Sequence, residues 1–188
     1  PVDLGRFRRA VLVLSAAFLA LFGGFNAAQG LQSTLNTWGT FNLALLYITF
    51  TLCCIPAPGV LAAMEERGLP SRFALVVPGV AYIWWVLLNI LPVPPAEDPS
   101  FAGRAAANIL CNVALGFAAS VLWTTQSLYV GRNAICAARC SSGGEGGNAT
   151  DGMASAYNGL FFMVYQFAGV LGAGVSTLVV SLHRTGNS

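Results

Sequence analysis

Residues 10–64 read AVLVLSAAFLALFGGFNAAQGLQSTLNTWGTFNLALLYITFTLCCIPAPGVLAAM and contain no Asp, Glu, Lys or Arg. Two further charge-free stretches cover residues 105–131 and 152–182. A soluble domain needs a solvated face on nearly every helix, and these stretches offer none. Charged residues make up 9% of the whole chain, where ordinary soluble domains have about 25%. The sequence therefore predicts an integral membrane protein and excludes a nucleic-acid binder or a secreted disulfide scaffold.

The apolar stretches are long enough for about five transmembrane helices. A bilayer core about 30 Å thick takes roughly 20 apolar residues per helix, so residues 10–64 suffice for two helices joined by a turn at residues 33–39. Clustered prolines predict a non-helical segment at residues 91–100, and a Gly/Ser-rich composition predicts a loop at residues 140–151. We predict an all-α membrane bundle with spans at residues 10–31, 41–63, 73–91, 105–130 and 156–182.

Short breaks within the first half of the chain follow from proline and glycine. Pro56 and Pro58 are expected to end or kink the second span. Gly68 and Arg72 then belong to a tight turn that leads into the third span.

The distribution of arginine predicts the orientation of the bundle. All nine basic residues are Arg, and a cytosolic N-terminus places seven of them in the cytosol and two, Arg104 and Arg184, on the other side. Cytosolic loops of membrane proteins carry an excess of basic residues. We therefore expect a cytosolic N-terminus, and we expect Asn148, in the sequon Asn-Ala-Thr, to remain unglycosylated in a cytosolic loop.

The N-terminal segment has an alternative interpretation as a secretory signal peptide. Arg6, Arg8 and Arg9 precede its apolar run, as in such peptides, but the run exceeds their usual core of about 7–15 residues. A first transmembrane span is therefore favoured. The chain starts at Pro1, and five spans would leave its two ends on opposite sides of the membrane. We expect a fragment of a longer transporter-like protein, namely an incomplete N-terminal bundle at residues 1–188.

Polar residues recur at helical spacing within three of the predicted spans. Polar groups at membrane depth are costly to bury and often mark functional sites. We expect these stripes to line a central cavity, and the alternative is that they form hydrogen bonds and close contacts between helices. The candidate cavity residues are Asn26, Gln29, Asn36, Asn108, Asn112, Trp123, Gln126 and Tyr165.

Small residues at helical spacing predict close helix packing. Pairs of small residues four positions apart allow two helix backbones to approach each other within a membrane. The candidate packing residues are Gly116, Ser120, Gly169, Gly172 and Ser176.

The sequence offers no chemistry typical of an enzyme or of a metal site. It contains no paired nucleophile and base, no phosphate loop and no HExxH motif, and Cys136 and Cys140 have no neighbouring His. No cofactor, metal or nucleic acid is expected, and the lipid bilayer is the expected partner. The predicted spans also contain no Asp, Glu, Lys or Arg, although ion-coupled carriers generally use intramembrane carboxylates or His.

Several motifs, in order along the chain, resemble the uncoordinated-93-like family of the major facilitator superfamily. Residues 25–36 read FNAAQGLQSTLN, similar to the family's FNALQxLQSSLN, and Gly39 and an LLY at residues 45–47 follow. Residues 115–129 read LGFAASVLWTTQSLY, close to LGxGAAxLWxxQGxYL, and Asn158 begins a match to NGxFW. The resemblance implies one incomplete bundle of a twelve-helix fold.

The chain departs from the family at three places, and one of them is an expected Gly-rich loop expansion at residues 132–151. The family's Gln-Gly is replaced by Gln126 and Ser127. The superfamily motif after the second span is reduced to Glu65, Glu66, Arg67 and Gly68, without the Asp that usually precedes the Arg. Because that motif stabilises one conformation of typical carriers, its loss weakens the case for ordinary alternating-access transport.

The resemblance implies a function as a transporter-like regulator. Members are associated with potassium channels and potassium homeostasis, or with the trafficking of receptors such as Toll-like receptors, so a potassium channel or a receptor is the implied protein partner. The alternative function is a major-facilitator carrier of a small polar solute. A purely structural scaffold is a third class that the sequence leaves open.

Overall fold

A computed structural model describes residues 4–35, 38–89, 97–142 and 147–186 of the chain. The described residues form seven α-helices and no strand. The helices are α1 (Leu4–Leu35), α2 (Gly39–Cys53), α3 (Ala57–Glu66), α4 (Phe73–Asn89), α5 (Phe101–Ser142), α6 (Gly147–Tyr165) and α7 (Phe167–Gly186). The predicted turn at residues 33–39 is shortened, because helix extends through Leu35 and resumes at Gly39.

The helices confirm the prediction of an all-α membrane bundle. Three helical stretches are long and apolar enough to cross a bilayer: Leu4–Gln32, Phe101–Ser141 and Thr150–Leu182, which combines most of α6 and α7. The bent pair α2 and α3 supplies a fourth. Helix α4 is apolar but has only 17 residues, somewhat fewer than the roughly 20 that a bilayer takes. The number of five spans therefore stays a prediction.

The second span bends by 60° between α2 and α3. Cys54 and Ile55 separate the two helices, and Pro56 immediately precedes the first residue of α3. Proline has no N–H group and its ring clashes with the preceding helical turn, so it favours a break at this point. The predicted kink at Pro56 and Pro58 is confirmed.

The turn after α3 depends on the backbone of Gly68, which has a φ of 70°. The N–H of Gly68 donates to the carbonyl of Glu65 at 2.9 Å, and that of Leu69 to the carbonyl of Met64 at 3.0 Å. These two bonds form a Schellman motif, which satisfies the last carbonyls of a helix and favours glycine at the left-handed position. Helix α4 begins soon afterwards at Phe73.

The structure corrects the loop predicted at residues 140–151. Of this segment, residues 140–142 continue α5 and residues 147–151 begin α6, while residues 143–146 lie outside the described part. Ala134, Ala137 and Ala138 are at most 1% exposed on α5. This packing, together with the good helix propensity of alanine, extends the helix beyond what the Gly/Ser-rich composition indicated. With 42 residues, α5 is roughly 63 Å long, about twice the thickness of the bilayer core.

The segment predicted to be non-helical at residues 91–100 is described only from residue 97. Residues 97–100 form a turn that leads into α5. The backbone N–H and the hydroxyl of Ser100 both donate to the Asp98 carboxylate, at 2.8 and 2.7 Å. These two hydrogen bonds stabilise the ionised carboxylate and lower the pKa of Asp98.

Helices α1 and α5 form the centre of the bundle, where they contact each other and most of the remaining helices. Three aromatic side chains on one face of α1, Phe18, Phe22 and Phe25, are each no more than 4% exposed. Their spacing of three to four residues keeps them on the same helical face. We refer to the end of the bundle that holds Arg6, Arg67 and Arg132 as the arginine-rich end.

Candidate functional site

A partly open cavity of about 250 Å³ lies between five helices of the bundle. Seven of its ten lining side chains are aromatic. The lining residues are Phe22, Phe25 and Asn26 of α1, Leu46, Tyr47 and Phe50 of α2, Tyr82 of α4, Ala119 and Trp123 of α5, and Tyr165 of α6. We call it the central cavity.

Ring contacts connect four of the helices around the central cavity. The Phe22 ring centroid lies 4.9 Å from that of Tyr82, 5.3 Å from that of Trp123 and 5.3 Å from that of Tyr165. Trp123 and Tyr165 meet edge to face at 5.2 Å. Such tilted and edge-to-face pairs stabilise packing beyond the area that they bury. Contacts between these aromatic rings therefore stabilise one wall of the central cavity.

Three of the predicted cavity residues line the central cavity: Asn26, Trp123 and Tyr165. Gln29 lies next to it, because its side-chain Nε2 donates to the hydroxyl of the lining residue Tyr47 at 2.8 Å. Asn36 lies outside the described residues. Of the predicted polar residues on α1, Asn26 thus lines the cavity and Gln29 lies beside it.

Asn108 and Asn112, both candidate cavity residues on α5, are not among the lining residues, and Asn112 is hydrogen-bonded to another helix. The indole Nε1 of Trp85 on α4 donates to Asn112 Oδ1 at 2.9 Å, and Trp85 and Asn112 are fully buried. Asn112 Nδ2 in turn donates to the Asn108 carbonyl at 2.8 Å, and Asn108 Nδ2 donates to the Arg104 carbonyl at 3.2 Å. Asn112 therefore follows the interhelical alternative stated above, in which polar groups hold helices together, whereas the hydrogen bonds of Asn108 stay within α5.

Gln126 is buried within the bundle, with 1% of its surface exposed, and does not line the central cavity. The Ser127 hydroxyl donates to its Oε1 at 3.3 Å. Its Nε2 has no hydrogen-bond partner among the described residues. A buried donor without a partner lowers the stability of the fold. Of the candidate cavity residues, Gln126 is therefore the one whose burial the observed contacts explain least.

Sequence reasoning missed a polar contact between α1 and α4. Gln32 Nε2 donates to Asn89 Oδ1 at 2.6 Å, and Asn89 Nδ2 donates to the carbonyl of Trp85 at 2.8 Å. The hydrogen bond from Trp85 to Asn112 continues this chain to α5. Gln32 falls within the quoted stretch of α1 but off the stripe of Asn26 and Gln29, and the helical spacing alone did not single it out.

The aromatic lining was also missed. Phe22 and Phe25 continue the stripe of Asn26 and Gln29 toward the start of α1 at spacings of three to four residues. This continuation could have indicated that Phe22 and Phe25 share the helical face of the candidate cavity residues. Because aromatic residues in a membrane helix most often contact lipid or the protein core, the sequence did not separate them from ordinary packing residues.

The predicted packing residues differ in how closely they bring helices together. A Cβ atom on Gly116 would lie 2.8 Å from the Leu46 carbonyl oxygen, so α5 approaches the backbone of α2 there. A Cβ atom on Gly172 would overlap the Cβ of Asn26, which marks a close approach of α7 to α1. Ser176 packs near Gly30, and Ser120 is buried. Gly169 faces open space.

A second cavity of about 240 Å³ lies at the arginine-rich end, between α3, α4 and α5. Its lining is largely apolar and includes Leu61, Met64 and Leu75. At its edge, the Arg132 guanidinium lies 2.6 Å from the Glu65 carboxylate. Both side chains are about half exposed, so water screens this ion pair.

The chain is similar to proteins that are named UNC93-like or unc-93. It is 33% identical to UNC93-like protein 3 of Arabidopsis thaliana over 66% of the chain, and 26% identical to the putative potassium channel regulatory protein unc-93 of Caenorhabditis elegans over 90% of it. It is 28% identical to protein unc-93 homolog A of Homo sapiens over 94% of its length. No protein-family model and no solved structure matches the chain.

The chain spans about a third or less of the length of these relatives: 24% of the Arabidopsis protein, 21% of the nematode protein and 35% of the human one. The matches to the nematode and human proteins nevertheless extend over nine-tenths or more of the chain. They agree with the motifs in α1 and α5 and with the apolar helices. Along most of its length, the chain is therefore a membrane protein that resembles the UNC93-like family.

Proposed function

We propose that the chain belongs to a transporter-like protein that regulates a potassium channel through contacts within the membrane. The observation that carries this proposal is the likeness to the nematode relative, which is named a putative potassium channel regulatory protein and aligns with 90% of the chain. Regulation of ion homeostasis is the broader activity within which this role falls, and regulation of receptor trafficking is the alternative that the family resemblance implies.

Two features of the chain support regulation over ion-coupled transport. Residues 10–64, 105–131 and 152–182 contain no acidic, basic or His side chain that could relay a proton or hold a coupling ion. The superfamily motif after the second span retains Glu65 and Arg67 but lacks the Asp that precedes the Arg in typical carriers.

Crosslinking in intact membranes tests this proposal. A photoreactive residue introduced at Val170 or Leu178, which are 69% and 60% exposed, samples an exposed apolar face of α7. Co-expression with tagged potassium channel subunits is expected to give a crosslink at one or both sites. A tagged membrane protein unrelated to channels serves as the matched control. Equal crosslinking to both proteins, or to neither, contradicts the proposal.

We propose solute transport as the second candidate, because the central cavity offers a binding volume. Its lining provides the amide of Asn26 and the hydroxyls of Tyr47, Tyr82 and Tyr165 beside apolar rings. Binding sites for small molecules commonly combine apolar walls with a few polar groups. In proteoliposomes, the flux of a transported small polar solute should fall when Asn26 is changed to Ala. Flux that is unchanged in this variant removes Asn26 from the transport site.

A further inference from the structure

The composition of the central cavity indicates the chemistry of its occupant. Seven aromatic side chains from five helices line it, together with Asn26, Leu46 and Ala119. None of these ten residues carries a charge. Phe22, Phe25 and Tyr82 are at most 4% exposed and belong to the folded interior, whereas Tyr47 is 46% exposed at the edge of the cavity.

Aromatic rings carry partial negative charge on their faces and attract cations within about 6 Å of the ring centre. Trp is the strongest ring for this interaction, and Tyr is next. The cavity holds one Trp and three Tyr side chains, Trp123, Tyr47, Tyr82 and Tyr165. Clusters of such rings are used to bind quaternary ammonium groups.

Other classes of ligand fit this lining less well. An anion would find no Arg, Lys or His among the lining residues to compensate its charge. A strongly hydrated inorganic cation would lose its water shell without carboxylates to replace it. A quaternary ammonium ion has no N–H group to leave unpaired and carries an apolar surface that suits Leu46 and the phenyl rings.

We propose that the central cavity binds a small quaternary ammonium cation through the rings of Trp123, Tyr82 and Tyr165. Asn26 and the Tyr47 hydroxyl provide hydrogen-bonding groups for a polar substituent of that cation. The hydrogen bond from Gln29 to the Tyr47 hydroxyl holds this group in place. This inference deepens the second proposed function, since it names the class of solute that a carrier would take.

Binding of choline to the purified protein in lipid nanodiscs tests the proposal. The decisive control is 3,3-dimethyl-1-butanol, which has nearly the shape of choline but carries carbon in place of the charged nitrogen. Titration calorimetry should show choline binding about 3- to 30-fold more tightly than the neutral compound, the ratio expected for a desolvated cation–π contact. Equal affinity for the two compounds, or binding of neither, overturns the proposal.

Two substitutions test whether choline binds in the central cavity. Trp123→Leu should weaken choline binding about 3- to 30-fold and leave the affinity for the neutral compound nearly unchanged. Trp84→Leu is the matched control, because Trp84 is 62% exposed on α4 and does not line the cavity. Equal weakening of choline binding by both substitutions overturns the assignment to the central cavity. The comparison of choline with its neutral analogue needs only the unmodified protein and stays decisive where Trp123→Leu does not fold.

The same preparation separates this proposal from transport. Choline binding without choline flux in proteoliposomes supports the cation site and contradicts the carrier function. Flux of a neutral solute without choline binding supports the carrier function and overturns the cation site.

Discussion

The indole nitrogen of Trp85 donates a hydrogen bond to the side-chain oxygen of Asn112 over 2.9 Å, and both side chains are fully buried. The bond joins α4 to α5 within the apolar part of the bundle. A polar pair in this position holds helices together, because neither group finds water there. The burial of the Asn112 amide is thus explained by the assembly of α4 with α5.

A double-mutant cycle measures the contact between Trp85 and Asn112. Asn112→Leu should lower the free energy of unfolding by about 1–3 kcal/mol, because it leaves the buried indole N–H without an acceptor. Trp85→Phe removes the donor. We expect a coupling of about 0.6–2 kcal/mol between the two changes, measured by denaturant titration in micelles.

The control for this cycle is Leu110→Ala, since Leu110 lies on the same helix and is 70% exposed. This variant should unfold nearly as the original protein does. Strict additivity of the changes at Trp85 and Asn112 would show that the hydrogen bond does not stabilise the bundle.

Two glycines on α7 are expected to respond differently to alanine. Gly172→Ala should destabilise the protein, because its Cβ would overlap the Cβ of Asn26 and approach the Ala27 nitrogen to 2.9 Å. A forced separation of packed helices typically costs about 1–3 kcal/mol. Gly169→Ala should be neutral or slightly stabilising, because nothing lies near its Cβ position. Thermal unfolding followed by circular dichroism compares the two variants, and equal melting temperatures contradict the close approach of α7 to α1.

The ion pair between Glu65 and Arg132 is expected to contribute little to stability. Both side chains are about half exposed, and such pairs contribute about 0–1 kcal/mol. Glu65→Gln should therefore lower the melting temperature slightly in low salt, and high salt should reduce the difference. A large loss of stability that persists in high salt would contradict this expectation and assign the pair a structural role between α3 and α5.

The predicted orientation is tested from the arginine-rich end. Cys136 and Cys140 are exposed on α5 beyond the predicted fourth span. In a variant that keeps only these two cysteines, a membrane-impermeant maleimide should label them after permeabilisation and not in intact cells. Asn148 should remain unmodified when the protein passes through the secretory pathway. Labelling in intact cells, or a glycan on Asn148, reverses the orientation.

The sequence predicts the secondary structure well because absence of charge and the positions of proline are strong signals. Most of α1, all of α2 and most of α3 lie within the charge-free residues 10–64, and Pro56 lies at the bend between α2 and α3. The loop predicted at residues 140–151 was wrong in its described parts, because packing of Ala134 and Ala137 extends α5 there. Local composition does not reveal such tertiary contacts.

The candidate site was predicted only in part. Helical spacing places Asn26 and Gln29 on one face but does not reveal which face meets a cavity and which meets another helix. The position of Asn112 follows from Trp85, a residue on a different helix that no periodicity in α5 could indicate. The aromatic lining combines residues from α1, α2, α4, α5 and α6, and its convergence becomes visible only in three dimensions.

Potassium current is the measurement that tests the regulator proposal most directly. In cells that express a potassium channel, co-expression of the protein should change the whole-cell potassium current, and in cells without the channel it should change nothing. Gly169→Ala is the matched control and should act as the original protein does, whereas Gly172→Ala should lose part of the effect. An unchanged current in the channel-expressing cells, or a current that the protein produces without the channel, would contradict the account.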